Sequence, residues 1–140
     1  MTRREIREHL FVLLFEGEFY DVAEMDEQTN LYFENFVSSA AEYEIEYIRG
    51  RFALIKENLG GIDALLSEAT SGWKLNRMGK VELSLLRLAL FEMKCDEQIP
   101  EKVAINEAVE LTKKFGGDAS SGFVNGVLAK LVQKVTTDEI

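Results

Sequence analysis

Apolar residues recur at Ile6, Leu10, Leu13 and Leu14, the spacing that lines one face of a helix. Thr2 followed three residues later by Glu5 forms a capping-box pattern, so the first helix is predicted to begin there and to end near Gly17. After an acidic stretch through Asp21, Glu24, Asp26 and Glu27, the helical period resumes at Leu31, Phe33, Phe36, Val37, Ala40 and Ala41. A further set follows at Ile45, Ile48, Phe52, Ile55 and Leu59. The two sets read as one long helix or two, with a break expected near Glu42. Gly60-Gly61 predicts a stop, because glycine carries the largest entropy penalty inside helices and closes them readily. A short helix from Ile62 to about Ala69 and a loop through Thr70 and Trp73 are expected next.

The run from about Gly79 to Lys94 is apolar nearly all round, which predicts a central helix buried on most faces. Pro100 suits a helix start, and Val103, Ile105, Ala108, Val109 and Leu111 carry the pattern to Phe115 before Gly116-Gly117. The last helix, capped by Asp118 or Ser120, shows Phe123, Val124, Val127, Leu128, Leu131, Val132 and Val135, with a polar tail from about 136. No internal repeat or strand-like alternation interrupts this series. The expected fold is all-α: a compact single-domain bundle of about seven helices spanning 1–140.

Composition narrows the class. With 46% hydrophobic and 29% charged residues and a single proline, the chain is globular in composition. Its opening residues are charged where a signal peptide needs an apolar core, and its apolar runs are too short for a bilayer, so a cytoplasmic protein with no membrane association is expected. The lone Cys95 excludes an intramolecular disulfide and any thiolate cluster. The lone His9 excludes a multi-imidazole metal site, and with it a Ser-His-Asp triad becomes an unsupported reading. The glycine pairs follow helices and do not join a strand to a helix, so they are not phosphate-cradling loops. No enzyme, metal or cofactor is expected.

The net charge of −9 argues against nucleic acid, whose binding is dominated by cations neutralising phosphates. Its distribution changes the picture. Residues 1–70 hold 6 Lys/Arg against 15 Asp/Glu, a net of −9, while residues 71–140 hold 10 against 10. Three of the six N-terminal cations are Arg3, Arg4 and Arg7, in the first turns of a helix, where the macrodipole disfavours them. Unpaired N–H groups at the same end favour anions, so arginines there form a candidate phosphate site. Read from the residues alone, the alternative of a solvated, charged helix start stays open.

The segment from Gly72-Trp73 to Arg77 is followed by Val81-Glu-Leu-Ser-Leu-Leu-Arg-Leu-Ala-Leu-Phe-Glu92. Pro100-Glu-Lys-Val-Ala-Ile-Asn-Glu-Ala-Val-Glu-Leu-Thr-Lys-Lys-Phe-Gly116 and Phe123-Val-Asn-Gly-Val-Leu128 complete the series. In order and spacing these resemble the NusB family, and Arg3-Arg4-Glu5-Ile6-Arg7-Glu8 resembles that family's opening with Ile6 in place of the usual alanine. The resemblance implies an all-helical, NusB-like RNA-binding transcription antitermination factor without catalysis. Such a factor binds the boxA element of ribosomal RNA operon transcripts together with the ribosomal protein that acts as NusE, within the RNA polymerase antitermination complex.

By position, Arg3, Arg4, Arg7, Asp118, Ser120 and Phe123 would face RNA, and Glu82 would face NusE. Monomer and homodimer both stay open, as does a protein-interaction module with little RNA binding of its own. A NusB-like domain also occurs ahead of a ribosomal RNA methyltransferase, but this chain carries no cofactor-binding unit. Phe15 stands where the family usually has tyrosine. Arg87, Asn106 and Asn125, among apolar neighbours, are expected to be satisfied structural polar groups, and Gly126 to permit close helix approach. Phe123 is open between stacking on a base and filling the core.

Overall fold

The computed structural model describes residues 1–36, 40–70 and 75–138, the side chains of Phe36, Asp118 and 133–138 excepted. They form α1 (Arg3–Glu16), α2 (Val22–Phe36), α3 (Glu42–Ala69), a 3-10 turn (Leu75–Arg77), α4 (Lys80–Cys95), α5 (Glu101–Phe115) and α6 (Asp118–Asp138). The all-helical class is as the periodicity predicts. The chain gathers into two compact units, Met1–Lys56 and Glu57–Ile140, with the boundary inside α3.

In the first unit, α1 begins where the capping box places it: the Glu5 N–H donates to Thr2 Oγ1 at 3.1 Å. Gly17 closes the helix. Leu10, Phe11, Leu13 and Leu14 are buried along α1, Met25, Tyr32 and Phe33 along α2, and Ile48, Phe52 and Ile55 along α3. Each fully buried leucine or phenylalanine contributes roughly 1.5–3 kcal/mol. Polar contacts set the register between helices. His9 Nδ1 lies 2.5 Å from the Tyr32 hydroxyl, and Arg49 Nη1 donates to Asn30 Oδ1 at 2.9 Å while its guanidinium lies 4.3 Å from the Phe33 ring centre. Phe15 packs between Phe11 and Phe19, ring centres 6.0 and 5.1 Å away.

In the second unit, α4, α5 and α6 pack pairwise against one another. α4 is the buried centre expected from its composition: Leu85, Leu86 and Leu90 are wholly shielded, as are Val124, Leu128 and Leu131 of α6. Pro100 is the N-cap of α5. The turn from α5 to α6 is very short, and Gly117 makes it with φ of +92°, a conformation that costs a side-chain-bearing residue strain.

Three expectations are corrected. The helices number six among the described residues, because α3 runs unbroken through Gly60-Gly61 to Ala69. Both glycines are exposed with open space where a side chain would lie, so they weaken the helix by about 1 kcal/mol each without stopping it, and burial of Ile62 and Leu66 just beyond offsets that loss. Gly126 also faces open space, so it admits no close helix approach. Asn106 and Asn125 are exposed rather than enclosed among apolar side chains, because they fall on the outer faces of α5 and α6. The break expected near Glu42 agrees with the start of α3.

Candidate nucleic-acid interface

The sequence-nominated residues fall in both units. In the first, Arg3 and Arg4 are exposed at the start of α1, where Thr2 caps the Glu5 N–H. Arg7 is different. It is only 6% exposed and is engaged within the protein, because the buried stripe through Leu10, Leu13 and Leu14 extends one turn back onto its position. Helical periodicity carried that information: Arg7 stands three residues before Leu10 and seven before Leu14.

In the second unit, a groove of about 280 Å³ between the start of α4 and the start of α6 brings Arg77, Gly79, Glu82, Ser120 and Phe123 together. Glu82 stands in the first turn of α4, where the helix dipole favours a carboxylate, and the N-cap Gly79 supplies no side-chain cap. The Ser120 hydroxyl donates to Glu82 Oε1 across the groove. Ser120 is therefore occupied within the body of α6 and is not its cap. Glu82 Oε2 rests where a side chain on Gly79 would begin, so a larger residue there would turn the flexible carboxylate aside. On the other side, Gly116 brings the end of α5 against Ser120: a Cβ there would stand 3.2 Å from the serine Cβ. The hydroxyl and the carboxylate thus meet beside two glycines and the tight α5–α6 turn.

Phe123 is half-buried, neither sunk in the core nor free of it. It also lines a second groove of about 270 Å³ with Thr70, just past α3, and with Gly122, Gly126 and Lys130 of α6. An aromatic wall between two grooves, with Arg77 exposed on one side and Lys130 exposed on the other, is chemistry suited to an unpaired nucleotide: a stacking face flanked by cations. Arg77 and Lys130 are isolated cations, with no pattern in the sequence that marks them as contacts. The Asp118 side chain and Gly72-Trp73 lie outside the described residues. Among the described residues, no cluster of three or more histidine, cysteine or acidic side chains is placed to hold a metal ion. Nor is any described helix long and apolar enough to cross a membrane.

These features define an all-α protein with two separate candidate contact regions, an arginine-bearing helix start in the first unit and grooves with cations and one aromatic ring in the second. The profile of the NusB family, described as such, matches residues 4–133, and the chain belongs to that family. The transcription antitermination protein NusB of Lachnoclostridium phytofermentans is 57% identical over 132 residues, covering 94% of this chain and 99% of that protein. The solved structure of T. maritima NusB is 34% identical with a TM-score of 0.81, covering 95% of this chain and 92% of that one. A crystal structure of the antitermination factors NusB and NusE in complex with double-stranded RNA holds a chain that is 21% identical with a TM-score of 0.78. It covers 94% of this chain and 96% of that one, and at this identity the likeness is one of fold.

Proposed function

We propose that this protein is a transcription antitermination factor that binds boxA RNA of ribosomal RNA operon transcripts together with the ribosomal protein acting as NusE. The observation that carries the reading is near-full-length identity of 57% to a transcription antitermination protein. The chain acts as one NusB-like domain in the cytoplasm and contributes binding without catalysis, consistent with a family profile that spans both compact units.

In this reading Arg3 and Arg4 neutralise phosphates, Arg7 supports the helix that carries them, and Phe123, with Ser120 and Asp118 nearby in sequence, meets an unpaired base. Glu82 receives a cation of NusE. A protein of net charge −9 repels RNA over distances comparable with the Debye length, about 8 Å at physiological salt, so its own RNA affinity is low and a basic partner raises it.

The test is a titration of fluorescently labelled boxA RNA with the full chain, with and without purified NusE, at two salt concentrations. RNA affinity that rises with NusE and falls with salt is the expected result. NusE binding without RNA binding under any condition would replace this reading with a protein-interaction module.

A further inference from the structure

We infer that the Ser120 hydroxyl couples partner docking to RNA contact, an inference that rests on the functional reading above. The residue assigned to the partner, Glu82, and two assigned to RNA, Ser120 and Phe123, line one groove, and the first two are hydrogen-bonded directly to each other. Partner and RNA therefore meet at a shared pair of side chains.

A hydroxyl has one proton to donate. In the free protein that proton goes to the Glu82 carboxylate, a charge-assisted bond about twice as strong as a neutral one. It is then withheld from any phosphate or base acceptor in the groove. A lysine or arginine of the partner arriving at Glu82 satisfies the carboxylate and weakens its hold on the serine, whose proton turns to RNA. The reverse follows by linkage: RNA that takes the Ser120 proton leaves Glu82 short of a donor, which raises its affinity for the partner's cation by the same factor. Nothing large has to move. Gly79 leaves the carboxylate its place, Gly116 holds the serine against α5, and Arg77 at the groove rim stands ready for the phosphate adjoining the bound nucleotide.

The experiment is a cycle of four dissociation constants, for boxA RNA and NusE each with and without the other, on the parent chain, Ser120→Ala and Ser120→Thr. Alanine is the better helix former, so the alanine variant keeps its helicity, which circular dichroism checks. In Ser120→Ala the carboxylate has lost its internal donor, so NusE alone binds at least as tightly as to the parent. The factor by which each ligand strengthens the other falls about tenfold, toward one. Ser120→Thr restores a hydroxyl and with it the factor. A purely structural role would instead weaken both binary affinities and leave the factor alone, and that result overturns the inference. So does an alanine variant with the parent's factor. A parent chain that binds neither ligand overturns the functional reading and this inference with it, and is recognised before any substitution is made.

Discussion

Arg87 on α4 and Asp63 on α3, 24 residues apart, form a two-pronged ion pair: Nε donates to Oδ1 and Nη2 to Oδ2, each at 2.9 Å. Side-chain exposures of 12% and 30% place the pair at the edge of the second unit's core, where the planar guanidinium is held by geometry as well as charge. This arginine sits in the middle of the family-like α4 stretch, and its partner shows it to be structural. Arg87→Ala should lower stability by about 2 kcal/mol, since it leaves a part-buried carboxylate without its donors. Thermal unfolding should show a loss of several degrees, with RNA affinity of the folded fraction equal to the parent's; a Tm equal to the parent's would refute the assignment.

The arginines of α1 should separate by burial. Arg3→Ala and Arg4→Ala are expected each to reduce the slope of log affinity against log salt by about one, as a lost phosphate contact does, with little change in Tm. Arg7→Ala, at a position 6% exposed, is expected to cost stability first, by about 1–3 kcal/mol, and to leave the slope nearly unchanged. Salt titrations and melts of the three variants distinguish these outcomes. An Arg7 variant with a reduced slope and normal stability would mean that its guanidinium reaches RNA after all.

Glu82→Lys should impair NusE association while the helices persist. Reversing the charge turns attraction to a basic partner into repulsion, which acts mainly on the association rate. Within the protein it costs about 0.3–1 kcal/mol for a cation in the first turn of α4 and about 1–3 kcal/mol for the lost acceptor of the Ser120 hydroxyl. Stopped-flow or surface-based kinetics would read the rate. An unchanged rate and affinity would show that NusE docks elsewhere.

Stability should fall on mild acidification through His9. Burial lowers the pKa of this imidazole below its usual value, while Glu8 and Glu5 act weakly in the opposite direction. The Tyr32 hydroxyl, its pKa pushed up to about 12 by burial, stays protonated and is hydrogen-bonded to His9 Nδ1. A histidine whose folded pKa is depressed takes up its proton more readily when unfolded. The stability it contributes is therefore complete above about pH 6.5 and is lost as pH falls from there through the folded value. Comparing denaturant midpoints of the parent and His9→Asn between pH 7.5 and 5.5 isolates the effect: the parent should lose more stability over that interval. Parallel curves would remove His9 from the account.

Gly117→Ala should destabilise the second unit by roughly 1–2 kcal/mol, the cost of holding a side-chain-bearing residue at φ of +92°. Gly60→Ala should do the opposite, gaining up to about 1 kcal/mol inside an exposed helical stretch with open space around it. Equal effects of the two changes would contradict the conformations assigned to these glycines.

What the sequence determined was local. A helix repeats every few residues, so the apolar stripes of α1, α4, α5 and α6, the Thr2–Glu5 box, the stop at Gly17 and the start at Pro100 were all readable along the chain. So were the segments that place it in the NusB family. Gly60-Gly61 misled because the weakness of glycine in a helix is a local property, while the burial of Ile62 and Leu66 that carries α3 onward is a tertiary one. Arg7 likewise reads as one of three surface arginines until the core extends over it. Asn106 and Asn125 have apolar neighbours in sequence yet face outward, because adjacent helical residues point about 100° apart. The Ser120–Glu82 bond spans 38 residues and the Arg87–Asp63 pair 24. No periodicity encodes such meetings: they depend on where the tight turn at Gly117 sends α6 and on how α3 and α4 pack. Helices were thus decided by neighbours in sequence, and the groove by neighbours in space.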